Sequence, residues 1–307
     1  MSRTVAAADD GHRAALAALS AALAAPSDEL PSTRCVSERA LKALLRASPS
    51  ARTPPDFIQW LVDARLAQPL ALTTVGPGHE PPTIFVIAIG GASTADAVDP
   101  LELLLAAEPH GFASYFSALS FHELTTQSPP AHYVALHGRS PMNRARQPLA
   151  ASSPRGGKPD PHGSPLFTFD GTPYYVTKRT EPSVAVQRRF FDAQFLLRVT
   201  TLEQTLLDTL KMPLRCGGEE VVFEAWEGAV DRIDPAKMSS TLLALGDGNM
   251  ARRVGAMYAQ LGRSLPMLVA TTVQELATTT SEAEAEVHLL RGFRYTSFNA
   301  QWRVHVP

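Results

Sequence analysis

The apolar positions of residues 12–90 change period along the chain. Leu16, Leu19 and Leu23 recur at i, i+3 and i+7, the stripe of an amphipathic helix. A second helix is predicted over "ERALKALLRA" (38–47), with Ser37 as its N-cap. A third follows in "PPDFIQWLVDARL" (54–66), with Phe57, Leu61 and Ala64 on one face. The β-rich runs "LALTTV" (70–75) and "TIFVIAI" (83–89) then flank the Gly/Pro turn "GPGHEPP". Three helices and a two-stranded ribbon is the order of a winged helix-turn-helix, expected over 1–90. "GGASTADAVDP" (90–100) has no apolar periodicity and marks the expected boundary with a second domain over 91–307.

That second part mixes strands and helices without strict alternation, so the predicted class is α/β (α+β). Helices are expected at 100–107 and around "SYFSALSFHEL", and a strand at "HYVALHG". A low-complexity loop (139–165) leads to a hairpin, "PLFTFDGTPYYVTK", turned at Asp170-Gly171. Pro173 places its second strand at a sheet edge. The strand "FLLRVT" feeds a helix in "RVTTLEQTLLDTLKMPLRCGG" (198–218), where Leu202, Leu206, Leu207 and Leu210 form one apolar face. Gln204, Asp208 and Lys211 fall opposite, toward solvent. Thr200 and Glu203 match a capping box, and Pro213 stops the helix. Glu203 and Asp208 point about 140° apart and cannot converge on one substrate atom. Further helices are predicted at 218–229, 235–245 (N-cap Asp234, then Pro235), 249–261 and 265–278. The closing "QWRVHVP" alternates Trp302, Val304 and Val306 with Arg303 and His305, as a half-buried strand does.

Composition narrows the function. The 307 residues are 45% apolar and carry a net charge of −2, so no whole-protein attraction to nucleic acid or acidic membrane exists. No apolar run reaches the roughly 18–20 residues of a membrane span. Asp9 and Asp10 set the Ala-rich 14–25 stretch apart from a signal peptide. Cys35 and Cys216 are isolated, which suits a reducing cytoplasm. His110, His122, His132, His137 and His162 lack metal-ligand spacing. Nucleophile-elbow, P-loop and dinucleotide motifs are missing, and Cys216 has no flanking His to act as a base. "GDGNM" (246–250) lacks the acids of a calcium loop. No catalytic residue, metal or cofactor is therefore expected. Charge is uneven: residues 139–198 carry ten Lys/Arg against four acids, and residues 199–290 seven against thirteen. The basic segment either faces phosphate or an acidic protein, or is a solvated loop with the exposed faces of strands.

Three stretches carry a family likeness: "FASYFSALSFHELTTQSPPAHYVALHG" (112–138), "RVTTLEQTLLDTLKMPLRCGGEEVVFEAW" (198–226) and the ending "SFNAQWRVHVP". With "DRIDPAKMSSTLLALGDGNMARRVGAMYAQLG" they cover most of 112–307, and the chain resembles the AbiEi family of type IV toxin–antitoxin antitoxins. The resemblance implies a cytoplasmic, non-enzymatic phage-defence protein. Its winged helix-turn-helix would bind and repress its own promoter DNA, and its C-terminal domain would neutralise a nucleotidyltransferase toxin, typically without a stable complex. His122-Glu123-Leu124 stands where the family has His-Gly-Leu. The third helix carries Asp56 and Asp63 against Arg65, and residues 1–90 hold eight basic and eight acidic residues. Promoter contacts are therefore expected from Arg34, Arg39, Lys42, Arg46 and Arg52, and an antitoxin surface from Arg144, Arg146, Arg188 and Arg189. The alternatives are a degenerate nucleic-acid-acting enzyme, with Glu203 and Asp208 on a metal, and a stand-alone winged-helix regulator.

Overall fold

The computed structural model describes residues 2–47, 56–74, 80–88, 98–137, 161–180, 183–279 and 287–307. The chain forms two compact units. The first is Met1–Gly111 with Pro165–Tyr174 and Arg188–Arg198; the second is Phe112–Ser164, Tyr175–Gln187 and Val199–Pro307.

The first unit opens as a winged helix-turn-helix: α1 (Ser2–Ala22), β1 (Cys35–Ser37), α2 (Glu38–Ala47), α3 (Phe57–Asp63), β2 (Ala67–Pro69) and β3 (Ile84–Ile87). Strand β3 lies between β1 and β2 and is antiparallel to both, with Val36 opposite Phe85 and Gln68 opposite Val86. Ser37 caps α2, its hydroxyl oxygen accepting the Ala40 amide at 3.4 Å. Leu19 of α1, Leu41 and Leu45 of α2, and Phe57 and Leu61 of α3 meet in one core. Each such side chain contributes roughly 1.5–3 kcal/mol by leaving water. Strand β2 begins earlier than its apolar run suggested. Arg65 takes a left-handed conformation (φ 59°) that ends α3 and turns the chain at once.

The division expected at 90–100 is displaced. Helix α4 (Pro100–Ala107), capped by Asp99, belongs to the first unit. Its buried Glu102 accepts from Arg34 at 2.7 and 3.3 Å and from the Ser32 hydroxyl. Two later hairpin tips join the same unit through backbone bonds: Thr73 and Thr168 exchange both (3.0 and 2.7 Å), and the Leu196 amide donates to the Pro31 carbonyl at 2.8 Å. Long-range pairing of this kind leaves no compositional mark.

Strands β4 (Phe112–Ala113), β5 (His132–His137), β6 (Ser164–Phe169), β7 (Thr172–Arg179), β8 (Val186–Asp192) and β9 (Phe195–Thr200) form a sheet of order β6-β7-β5-β4-β9-β8, with α5 (Phe116–Phe121) between β4 and β5 in sequence. Strand β7 is internal, which corrects the edge position inferred from Pro173. The edge strand is its hairpin partner β6, which carries Pro165.

In the second unit, α6 (Leu202–Lys211) is buried from Glu203 to Leu210. Helices α7 (Glu219–Ala229), α8 (Pro235–Leu245) and α9 (Gly248–Gln260) pack against it, and α10 (Met267–Thr279) packs on α8 and α9. A small sheet of order β10-β12-β11 (Val287–His288, Val304–Val306, Ser297–Asn299) closes the unit. Trp302, Val304 and Val306 are buried, as their alternation predicted. The Trp302 ring lies flush on Gly255 of α9. Arg252 clamps the small sheet to α9 through the Trp302 and Arg303 carbonyls (2.8 and 2.6 Å), and Arg253 through that of His288 (2.8 Å). No described helix is long and apolar enough to cross a membrane.

Candidate functional site

In the winged helix-turn-helix, the spacing of α2 turns Arg39, Lys42 and Arg46 outward at i, i+3 and i+7 while Leu41 and Leu45 face the core. This is a short basic stripe. Lys42 is bridged to Glu38 at 2.5 Å, and Arg39 lies close enough to Glu108 to oppose the rise that burial imposes on that carboxyl. Arg34 is not part of the stripe. Its guanidinium is committed to the buried Glu102, which removes it from the expected DNA contacts. Arg52 lies outside the described residues. The outward face of α3 presents Asp56, Gln59 and Asp63, with Gln59 bonded to Asp63 at 2.8 Å. A helix with that face repels phosphate.

The carboxylates of α6 diverge as the helical angle required, but neither does what its pattern suggested. The N-cap is Thr201, which accepts the Gln204 amide at 3.3 Å. Glu203 is buried (3% exposed) and accepts the Asp234 amide at 3.1 Å, anchoring the start of α8 and closing no capping box. Asp208 is 1% exposed and does not face solvent. Arg179 of β7 grips it with two bonds of 2.6 Å, and Gln204 donates to it at 2.9 Å. An amphipathic reading assigns the polar side of a helix to water; here β7 supplies a guanidinium to that side instead.

Around this pair lies a cluster that no motif announced. Tyr115, which enters α5 at φ 54° and ψ −129°, sits between the Arg179 and Arg215 guanidinium groups, 5.5 and 5.2 Å from its ring centre. Arg215 donates to the Tyr115 hydroxyl at 3.3 Å and to the Pro161 carbonyl at 2.7 Å. Tyr133 stacks on Tyr175 and bonds His162 at 2.7 Å through its hydroxyl. Cys216 is buried beside them. Burial first, and Asp208 next, push its thiol well up, against the opposing effect of Arg179 and Arg215, so the thiol stays protonated and inert. Gly217, at φ 91°, has no room for a side chain: a Cβ there would lie 2.7 Å from Val221 and 2.8 Å from Phe116. The cluster holds β7, α5, α6 and the Pro213–Cys216 turn together, and its carboxylate is saturated by three donors. Among the described residues no group of His, Cys, Asp or Glu is arranged to hold a metal ion.

The basic run 139–198 is not one surface. Arg144 and Arg146 lie outside the described residues, and Arg179 is buried. Arg188 and Arg189 are exposed on β8 within the first unit, where Arg188 pairs with Asp28 at 2.7 Å. His122 bonds the Thr200 carbonyl at 2.8 Å, and Glu123 beside it is left-handed (φ 56°), the conformation that favours glycine. A strand-parity reading of "VTKRT", with Lys178 outward and Arg179 inward, was the available signal for the buried guanidinium.

No family model and no curated protein matches the chain. Among solved structures it is similar in fold to the Rv2827c protein of Mycobacterium tuberculosis, at 13% identity and a TM-score of 0.52 over 89% of this chain and 86% of that one.

Proposed function

We propose that this protein is a non-enzymatic, cytoplasmic antitoxin of a type IV toxin–antitoxin pair. The part of the chain over 91–307 counters a nucleotidyltransferase toxin, and its winged helix acts on the pair's own promoter. The observation that carries the reading is where the family-like stretches meet. His122 of the first bonds the backbone at Thr200 in the second, and Thr125 and the Thr126 amide hold Glu224 at 2.7 and 2.9 Å. The ending is clamped by Arg252 of the stretch before it. Glu123 and Gly217 adopt the left-handed backbone that the family's glycines at those places supply.

The promoter role rests on the α2 stripe. With three phosphate-seeking side chains and an acidic α3 face, binding is weak and sequence discrimination low. The first check is whether a nucleotidyltransferase-like gene lies directly downstream; the test is then growth of cells induced for that gene, with and without the full-length protein. Restored growth is expected, and a folded, expressed protein that restores none sinks the reading. Reversing Arg39, Lys42 and Arg46 should abolish a gel shift of the upstream DNA and leave rescue intact. Neutralising Arg144, Arg146, Arg188 and Arg189 together should impair rescue.

A further inference from the structure

Residues 287–307 hold three arginines, two histidines and no acidic residue. They fold as the small sheet, one face of which is buried through Val304 and Val306. The other face carries rings. His288 of β10 and Phe298 of β11 both stand opposite His305 of β12, so the three form a cross-strand row. Ring centres in the row are 5.3 and 4.9 Å apart, and Tyr295 adds a fourth ring 4.5 Å from His305 and 5.0 Å from His288. Tyr295 and Phe298 are 54% and 47% exposed. Arg291, Arg294 and Arg303 are exposed in the same segment. The charge is felt beneath the sheet: burial first, and Arg291 next, push the Arg253 guanidinium down to about 10.

A row of four rings, two of them exposed, in a segment that also exposes three arginines and holds no acidic residue, suits a partner that is flat and polyanionic at once. Unpaired nucleotides meet both demands, because every base has a face to stack and every linkage a phosphate. We propose that this face of the small sheet binds single-stranded RNA, with bases stacked on Tyr295 and Phe298 and phosphates met by the arginines. A duplex hides its base faces and would leave the rings unused. Thr296 and Gln301 are exposed in the same segment and offer a hydroxyl and an amide to a ribose 2′-hydroxyl.

The inference stands apart from the antitoxin reading, and its test uses neither toxin nor promoter. Fluorescence anisotropy of the full chain is measured with a labelled RNA of about ten nucleotides. The same RNA annealed to its complement and the matching DNA strand are measured beside it. Unpaired RNA should bind best. Tyr295→Ala and Phe298→Ala should each weaken it about fivefold or more, and Phe298→Leu, which keeps apolar bulk without stacking, should behave like the alanine variant. Arg294→Gln should flatten the salt slope by roughly 0.7. Both rings are exposed, and unchanged circular dichroism separates loss of binding from loss of fold. No binding at low salt, equal binding of the duplex, or alanine variants that bind like the parent would overturn the proposal; the last two results leave only charge attraction of the kind an acidic protein could share. Equal binding of the DNA strand would overturn the assignment to RNA.

Discussion

Asp208→Ala should destabilise the second unit by about 3–5 kcal/mol, because it strands the Arg179 guanidinium in a site from which water is excluded. Asp208 accepts two charged bonds of 2.6 Å from Arg179 and one of 2.9 Å from Gln204, and neither charged side chain is more than 2% exposed. Charged hydrogen bonds contribute about 1.5–3 kcal/mol each, and the gain in helix propensity from Asp to Ala returns only about 0.5 kcal/mol. Asp208→Asn should fare little better, since its amide nitrogen sets a donor against donors. Arg179→Met combined with Asp208→Leu removes both charges and fills the space, so the double variant should recover at least about 2 kcal/mol over Asp208→Ala. Urea unfolding followed by tryptophan fluorescence measures this. The chain has three tryptophans. In a Trp60→Phe background, Trp226 and Trp302 report the second unit alone. Trp226 bonds Thr209, the residue after Asp208, at 2.9 Å, so the signal is local. An Asp208→Ala protein within about 1 kcal/mol of the parent, with an unchanged denaturant slope, would refute the claim that this pair braces the unit.

Gly255→Ala would put a Cβ 2.4 Å from the Trp302 ring, and should cost roughly 1–3 kcal/mol despite better helix propensity; thermal melts should show part of that loss relieved by Trp302→Leu. Glu123→Gly should stabilise by about 1 kcal/mol, since Glu123 is exposed and held at φ 56°; a lower melting temperature would contradict the strain argument. Burial holds the folded-state His132 down to about 4, below its ordinary 6.5. The unfolded chain therefore binds the extra proton, so the contribution is whole above pH 6.5 and is lost as pH falls toward 4, by about 2 kcal/mol at pH 5. Urea titrations at pH 7 and pH 5 should show this slope reduced in His132→Gln.

The winged helix-turn-helix was legible because its helices are amphipathic and its caps are local. Ser37 and Asp234 each do what their position in sequence announced. Strand β1 escaped notice because "CVS" is too short to show alternation, and it is a strand only by pairing with residues some fifty positions on. The unit boundary failed for the same reason: Glu102 reads as an ordinary helical acid until Arg34 and Ser32 close on it. The candidate site was hardest to foresee. Leucine spacing on α6 located one buried face correctly, but the other face holds Gln204 and Asp208, whose burial is tolerable only because Arg179 arrives from β7. A helix's own period cannot reveal a counter-ion supplied by another element.

That difference bears on where function resides. In the 198–226 block, four polar groups have structural partners: Thr201 caps, Glu203 anchors α8, Asp208 holds β7, and Thr209 takes the Trp226 indole. Such a block is recognisable because it specifies a core, and a core motif reports a fold before it reports a chemistry. Net charge misleads in the same way, since Arg179, Arg252 and Arg253 spend their charge inside, on a carboxylate or on backbone carbonyls. Whatever this protein recognises must meet charges and rings that the fold leaves outside. Among the described residues three such places stand out: the Arg39, Lys42 and Arg46 stripe of α2, the exposed 188–191 stretch of β8, and the ring-bearing face of the small sheet. Substitution at those surfaces should change partners without changing stability, and substitution in the α6 block should do the reverse.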